Sequence, residues 1–191
     1  MSERWLNTPN TITFARLILS FVLFGMISAG VSGIWTAALF VFAVLTDVLD
    51  GWIARKYQLV TQLGRIMDPF VDKLITGGVF LFLLPVPDSG VNAWMAIIVI
   101  GREMFISCLR GVLEQQGIDF SASATGKIKM FLQCAGATAA LLCLDPRLVP
   151  DLAAGNSLTI VRDVLLWTMT VYTLWSGWVY IARALHARRP G

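Results

Sequence analysis

Histidine is almost absent from this chain. The one present, His186, lies in a basic C-terminal stretch, which excludes histidine metal clusters and a serine–histidine triad. Cysteine is nearly as scarce. Cys108, Cys134 and Cys143 stand in apolar stretches without C-x-x-C spacing, so they read as buried free thiols rather than as a zinc or redox site. Charge is thin too: only 14% of the 191 residues are Asp, Glu, Lys or Arg, against roughly 25% in an ordinary soluble domain. A net charge of +3 is too small to suggest nucleic acid, and no such partner is expected. No internal repeat or low-complexity segment is apparent. The length leaves room for one domain, 1–191, and no separate soluble module.

What the chain has in abundance is apolar sequence. Hydrophobic residues make up 57% of it, the mean hydropathy is +0.72, and they come in long runs. A transmembrane helix needs about 20 mostly apolar residues. That measure predicts an all-α integral membrane protein of six transmembrane helices, near 11–29, 34–56, 66–86, 93–114, 124–144 and 159–184. Punctuation separates them at Gly30 to Gly33, at Pro85 to Gly90, and from Asp145-Pro146 to Asn156. The run from Ile12 to Ala29 contains Arg16 and precedes another apolar span, so it reads as a retained helix rather than a signal peptide. Residues 1–10 and 185–191 form a short N-terminal segment and a basic tail.

The cations predict orientation. Arg4, Arg16, Arg55, Lys56, Arg65, Lys73, Arg102, Arg110, Lys127, Lys129, Arg183, Arg188 and Arg189 fall on the side shared by both termini; only Arg147 and Arg162 fall on the other. The positive-inside rule then puts both termini in the cytoplasm. Trp35 and Trp94 suit the far interface, Trp5 and Tyr57 the cytoplasmic one.

Four carboxylates sit where a membrane protein rarely keeps them. Asp47 and Asp50 are three apart at the end of the second span; Asp68 and Asp72 are four apart at the start of the third. Each pair shares a helix face. The short loop makes the two spans antiparallel neighbours, so all four can converge. A charge at mid-membrane costs about 2.5–3.5 kcal/mol, less near the interface, and bare carboxylates would repel or protonate. Hard divalent cations such as Mg²⁺ or Mn²⁺ would offset both costs. Simpler readings stand beside this one. Asp68, before Pro69, suits a helix cap, and Gly51 and Ala54 suit either a bulky ligand or a small-residue packing seam. Capping does not explain Asp72.

The stretch from Asp47 to Asp72 matches D-x2-D-G-x2-A-R-x8-G-x3-D-x3-D through Asp47, Asp50, Gly51, Ala54, Arg55, Gly64, Asp68 and Asp72. In this it resembles the CDP-alcohol phosphotransferase family. Asn10-Thr11-Ile12-Thr13-Phe14-Ala15-Arg16 is similar to the family's N-terminal P-N-x-L-T-x-x-R element, with Ile12 where leucine is usual. Gly101-Arg102-Glu103 with Arg110, and Gly126-Lys127-Ile128-Lys129, look like the phosphatidylglycerophosphate synthase branch.

The resemblance implies a transfer of the phosphatidyl group from CDP-diacylglycerol to an alcohol, releasing CMP. It implies that Asp47, Asp50, Asp68 and Asp72 hold two divalent ions over the donor's diphosphate. Arg55 would neutralise a diphosphate oxygen, and Gly51, Ala54 and Gly64 would shape the cytidine pocket. Asn10, Thr13 and Arg16 would line the same cavity. Asp72 is the candidate general base, with a pure ligand role as the alternative. A homodimer among membrane lipids, in the cell's inner membrane with its site facing the cytoplasm, completes the expectation.

Arg102, Arg110, Lys127 and Lys129 would suit a phosphorylated acceptor, which needs cations as serine or choline does not. Orientation and attraction to anionic lipid explain the same charges more simply. With the branch resemblance, glycerol 3-phosphate is the expected acceptor; inositol phosphate, serine and phosphatidylglycerol are the alternatives. Thr46, one residue before the first aspartate, is a further candidate for touching the acceptor. A divalent-cation transporter would also bury aspartates, though nearer the bilayer midplane. A non-catalytic scaffold would leave them unexplained.

Overall fold

A computed structural model describes residues 8–57, 62–116, 124–149 and 157–187, with side chains for these except 8–10, 48–57, 62, 63, 65, 66 and 124. Among the described residues the elements are six α-helices: α1 (Thr8–Ser28), α2 (Gly33–Tyr57), α3 (Gln62–Leu83), α4 (Ala93–Gln115), α5 (Ala124–Cys143) and α6 (Ser157–Ala187). Number and order agree with the sequence expectation, and every boundary falls within four residues of it.

Local chemistry sets the ends. α1 stops in a Schellman motif: Gly30, at φ +65°, donates to the Ile27 carbonyl, and the Val31 amide donates to the Met26 carbonyl at 3.0 Å. Only a residue tolerant of left-handed backbone fits there. α4 begins at Asn92, whose side-chain oxygen accepts from the Met95 amide at 3.0 Å. α2 begins against the end of α5. The Asp145 carboxylate accepts from the Ser32 hydroxyl and from the Ile34 amide at 3.2 Å, placing negative charge at the positive end of α2. A Cβ on Gly33 would collide with the Leu141 carbonyl and lie 2.9 Å from the Asp145 amide nitrogen, so the two backbones meet where only glycine fits.

One boundary changes the reading of a residue. α3 starts at Gln62 rather than near residue 66, which leaves Pro69 inside the helix and Asp68 well past its first turn. Asp68 is therefore no helix cap.

Leu23, Phe40, Phe80, Leu83, Met95, Leu141, Leu166 and Met169 are buried between the helices. α1 packs on both α2 and α3, α2 on α5, α5 along α6, α4 on α6 and α3. Among the described residues α2 and α3 make little direct contact; α1 joins them. The outer surface is apolar on every helix: Ile18, Phe42, Phe70, Phe105, Phe131 and Trp178, one from each, are all more than half exposed. Such a surface suits lipid rather than water. Among the described residues two helices are long and apolar enough to cross a membrane by themselves, at Thr11–Ser28 and Ser157–His186; α2 contributes a shorter apolar stretch, Gly33–Asp47. The other helices carry charges in one half, and those charges build the site.

Candidate active site

α1 reaches both aspartate-bearing helices from one face. Thr13 and Arg16 are three apart and both are buried. The Thr13 hydroxyl donates to Asp68 on α3 at 2.5 Å, and the Arg16 guanidinium pairs with Asp47 on α2. Asp47 and Asp68 are thereby drawn to neighbouring points on the same helix. Asp72 follows one turn after Asp68, half-buried, and its backbone carbonyl accepts from the Thr76 hydroxyl at 2.9 Å. Gly64 is buried on α3. The remaining signature positions, Asp50, Gly51, Ala54 and Arg55, and Asn10 on α1, have side chains outside the described residues. Among the described residues no three Asp, Glu, His or Cys side chains approach closely enough to hold a metal ion.

Asp72 opens onto a cavity of about 640 Å³ between α3, α4, α5 and α6. Arg102, Arg110, Lys127 and Lys129, singled out from sequence as separate charges on two helices, all line it. With Lys73 they make five cations against three carboxylates, Asp72, Glu103 and Glu114, a surplus of two positive charges. That balance matches a phosphate dianion.

The cations differ in freedom. Lys129 is buried and pairs with Glu103. Arg102 donates to Glu103 at 3.2 Å and to the Ser176 hydroxyl at 3.2 Å, with its guanidinium carbon 5.4 Å from the centre of the Tyr180 ring. Arg110 has a buried Nε without a partner among the described residues, and Lys127 is exposed at the rim. Thr46 does not line the cavity; its hydroxyl turns back to the Ala43 carbonyl at 2.8 Å. Glu103 was visible in sequence only as the third letter of Gly-Arg-Glu. Its role as the shared partner of Arg102 and Lys129 depends on packing of α4 against distant helices.

An all-helical bundle with carboxylates at the end of one helix pair and a cationic cavity beside them defines a class, and comparison with known proteins agrees with it. Residues 6–182 match the family model for CDP-alcohol phosphatidyltransferase, and the chain belongs to that family. It is 34% identical over 179 residues to the CDP-diacylglycerol–glycerol-3-phosphate 3-phosphatidyltransferase of Rickettsia bellii (strain RML369-C), covering 91% of this chain and 93% of the relative. It is 33% identical over 191 residues to the protein of the same name from Bacillus subtilis (strain 168), covering 93% and 94%. A probable phosphatidylglycerophosphate synthase of Mycobacterium tuberculosis (strain ATCC 25618 / H37Rv) is 29% identical over 186 residues, covering 94% and 82%. The family is divalent-metal dependent.

Proposed function

We propose that this chain transfers the phosphatidyl group of CDP-diacylglycerol to glycerol 3-phosphate, giving phosphatidylglycerophosphate and CMP. One observation carries the acceptor: Asp72 shares a single cavity with Arg102, Arg110, Lys127 and Lys129, and that cavity holds two positive charges in excess. The names of the relatives support the same donor and acceptor.

In the proposed reaction the acceptor hydroxyl attacks the phosphorus that bears diacylglycerol. The new oxygen–phosphorus bond forms as the bond to CMP breaks, and CMP departs with the electron pair. Asp72 takes the hydroxyl proton. Arg110 and Lys127 bind the acceptor phosphate through charge-assisted hydrogen bonds, while Glu103 fixes Arg102 and Lys129 behind them. Arg16 and Thr13 hold Asp47 and Asp68 in place; Asn10, Gly51, Ala54, Arg55 and Gly64 complete the donor side. Asp47, Asp50, Asp68 and Asp72 offer only carboxylate oxygens, a donor set that fits Mg²⁺ or Mn²⁺. Bound there, two such ions would neutralise charge on the diphosphate and on the departing group.

The apolar outer face on all six helices supports six spans in the cell's inner membrane, in one domain. The bias of cations to one end supports cytoplasmic termini and a cytoplasmic site. A homodimer, implied by the resemblance, belongs to the same proposal. A cation-transport reading gains nothing from a cavity that carries surplus positive charge.

The test is direct. Purified protein in detergent should release CMP from CDP-diacylglycerol when glycerol 3-phosphate and Mg²⁺ are both present, and chelator should stop it. Release that is equally fast with serine or inositol phosphate would remove the assigned acceptor; no release with any of them would remove the enzyme.

A further inference from the structure

We propose that Gln133 reads the acceptor's second hydroxyl, the one adjacent to the hydroxyl that reacts. The inference deepens the function proposed above and depends on it. Gln133 lies on α5, four residues beyond Lys129 and so on the same helix face. It lines the cavity and is only 1% exposed, yet its amide Nε2 has no hydrogen-bond partner among the described residues. Buried donors are seldom left unmade, because desolvating one without replacing its water costs free energy. An unmatched donor on a residue that lines a cavity of ligand size is one that a ligand can complete.

The neighbours narrow which ligand group that is. Thr76, across the cavity on α3, has already given its hydroxyl to the Asp72 carbonyl. Lys129 is committed to Glu103, and Arg102 to Glu103 and Ser176. Lys127 and Arg110, on the same two helices but closer to their ends, remain available to a phosphate, as does Lys73 on α3. Along the α5 axis Gln133 lies about 9 Å beyond Lys127. A three-carbon phosphate chain held at Lys127 would run along α5 toward Gln133, with Asp72 in the wall of the same cavity. In glycerol 3-phosphate the terminal hydroxyl would then face the Asp72 carboxylate, and the middle hydroxyl would meet the Gln133 amide. A hydroxyl both donates and accepts, so it satisfies this amide in either orientation of its end group.

The experiment compares two acceptors at saturating CDP-diacylglycerol: glycerol 3-phosphate, and 3-hydroxypropyl phosphate, which keeps the phosphate and the reacting hydroxyl but lacks the middle one. Wild-type protein should prefer glycerol 3-phosphate by about 10-fold or more in kcat/KM, as sites built to bond a hydroxyl do. Gln133→Met, of similar length and shape, should shrink that preference to within about twofold, in keeping with loss of one hydrogen bond. The KM for CDP-diacylglycerol should not move. Gln133→Leu provides the same ratio should the methionine variant fold poorly. An equal preference in wild type and variants overturns the proposal, as does a wild type that treats both acceptors alike. If wild type transfers to neither acceptor, the enzymatic reading itself falls, which is a distinct result.

Discussion

Glu103 on α4 binds Lys129 on α5 as an ion pair, and the same carboxylate oxygen lies 3.2 Å from the Arg102 guanidinium. One acid is thus shared by two cations in the wall of the cavity. Removing it leaves Lys129 buried without its counter-ion and takes from Arg102 one of its two hydrogen-bond partners. Glu103→Ala should destabilise the protein by roughly 3 kcal/mol, the scale for breaking a buried pair from one side. Glu103→Gln, which keeps a hydrogen-bond acceptor, should lose less. Unfolding by denaturing detergent measures the difference. Equal stability of wild type and Glu103→Ala would show that the pair is ornamental.

Asp72 is the only signature aspartate that lines the cationic cavity among the described residues. Asp72→Asn keeps its size and removes its ability to take a proton. Turnover should fall by at least about 100-fold, the contribution expected of a general base, with the unfolding midpoint little changed. Single-turnover CMP release checks this, and full activity would eliminate Asp72 both as base and as ligand.

Lys127 and Arg110 face the cavity without the Glu103 partnership that ties Lys129 and Arg102. Each should therefore act on the acceptor directly. Lys127→Ala and Arg110→Ala should each raise the KM for glycerol 3-phosphate about 10- to 100-fold, the worth of one hydrogen bond to a charged group. The KM for CDP-diacylglycerol should stay within about twofold of wild type, well short of the change in the acceptor constant. Parallel rises in both constants would move these residues to the donor side.

At the other end of the bundle, Asp145 is a pH-sensitive fastening. The Ser32 hydroxyl, then the Arg147 and Ile34 amides, hold its carboxyl below the ordinary carboxylate value of about 3.9. A pKa lowered on folding means that the stabilisation is complete above the unfolded value and is lost as pH falls through the folded one. Wild type should exceed Asp145→Asn in thermal midpoint at pH 6, with the gap closing as pH falls below about 4. A gap independent of pH would show that the ionised form contributes nothing.

The six helices were legible because apolar stretches stand between turns such as Gly30 to Gly33 and Pro85 to Gly90, although among the described residues only two helices are long and apolar enough to cross a membrane. The aspartates were legible for the opposite reason: charge inside those runs is costly, and its spacing of three and four residues maps directly onto a helix face. Meetings between distant helices were not legible. Asp47 and Asp68 were expected to meet through direct contact of α2 and α3, whereas α1 joins them through Arg16 and Thr13. Glu103 and Lys129 are 26 residues apart on separate helices, α4 and α5, and no periodicity pairs them. Gln133 passes in sequence for one polar residue in an apolar helix; only burial shows its amide to be unmatched. The start of α3 was placed too late because Gln62, Gly64 and Arg65 break the apolar run, and a hydropathy window ignores a helix that continues past its apolar part.

The seat of Gly33 against Leu141 and Asp145 has a mechanical consequence. It pins the start of α2 to the end of α5, and Asp47 lies fourteen residues further along α2, about 21 Å away by helical rise. The far end is tied as well, by the Arg16–Asp47 ion pair to α1. With both ends held, the distance from the Gly33 seat to that carboxylate is set by a fixed length of helix.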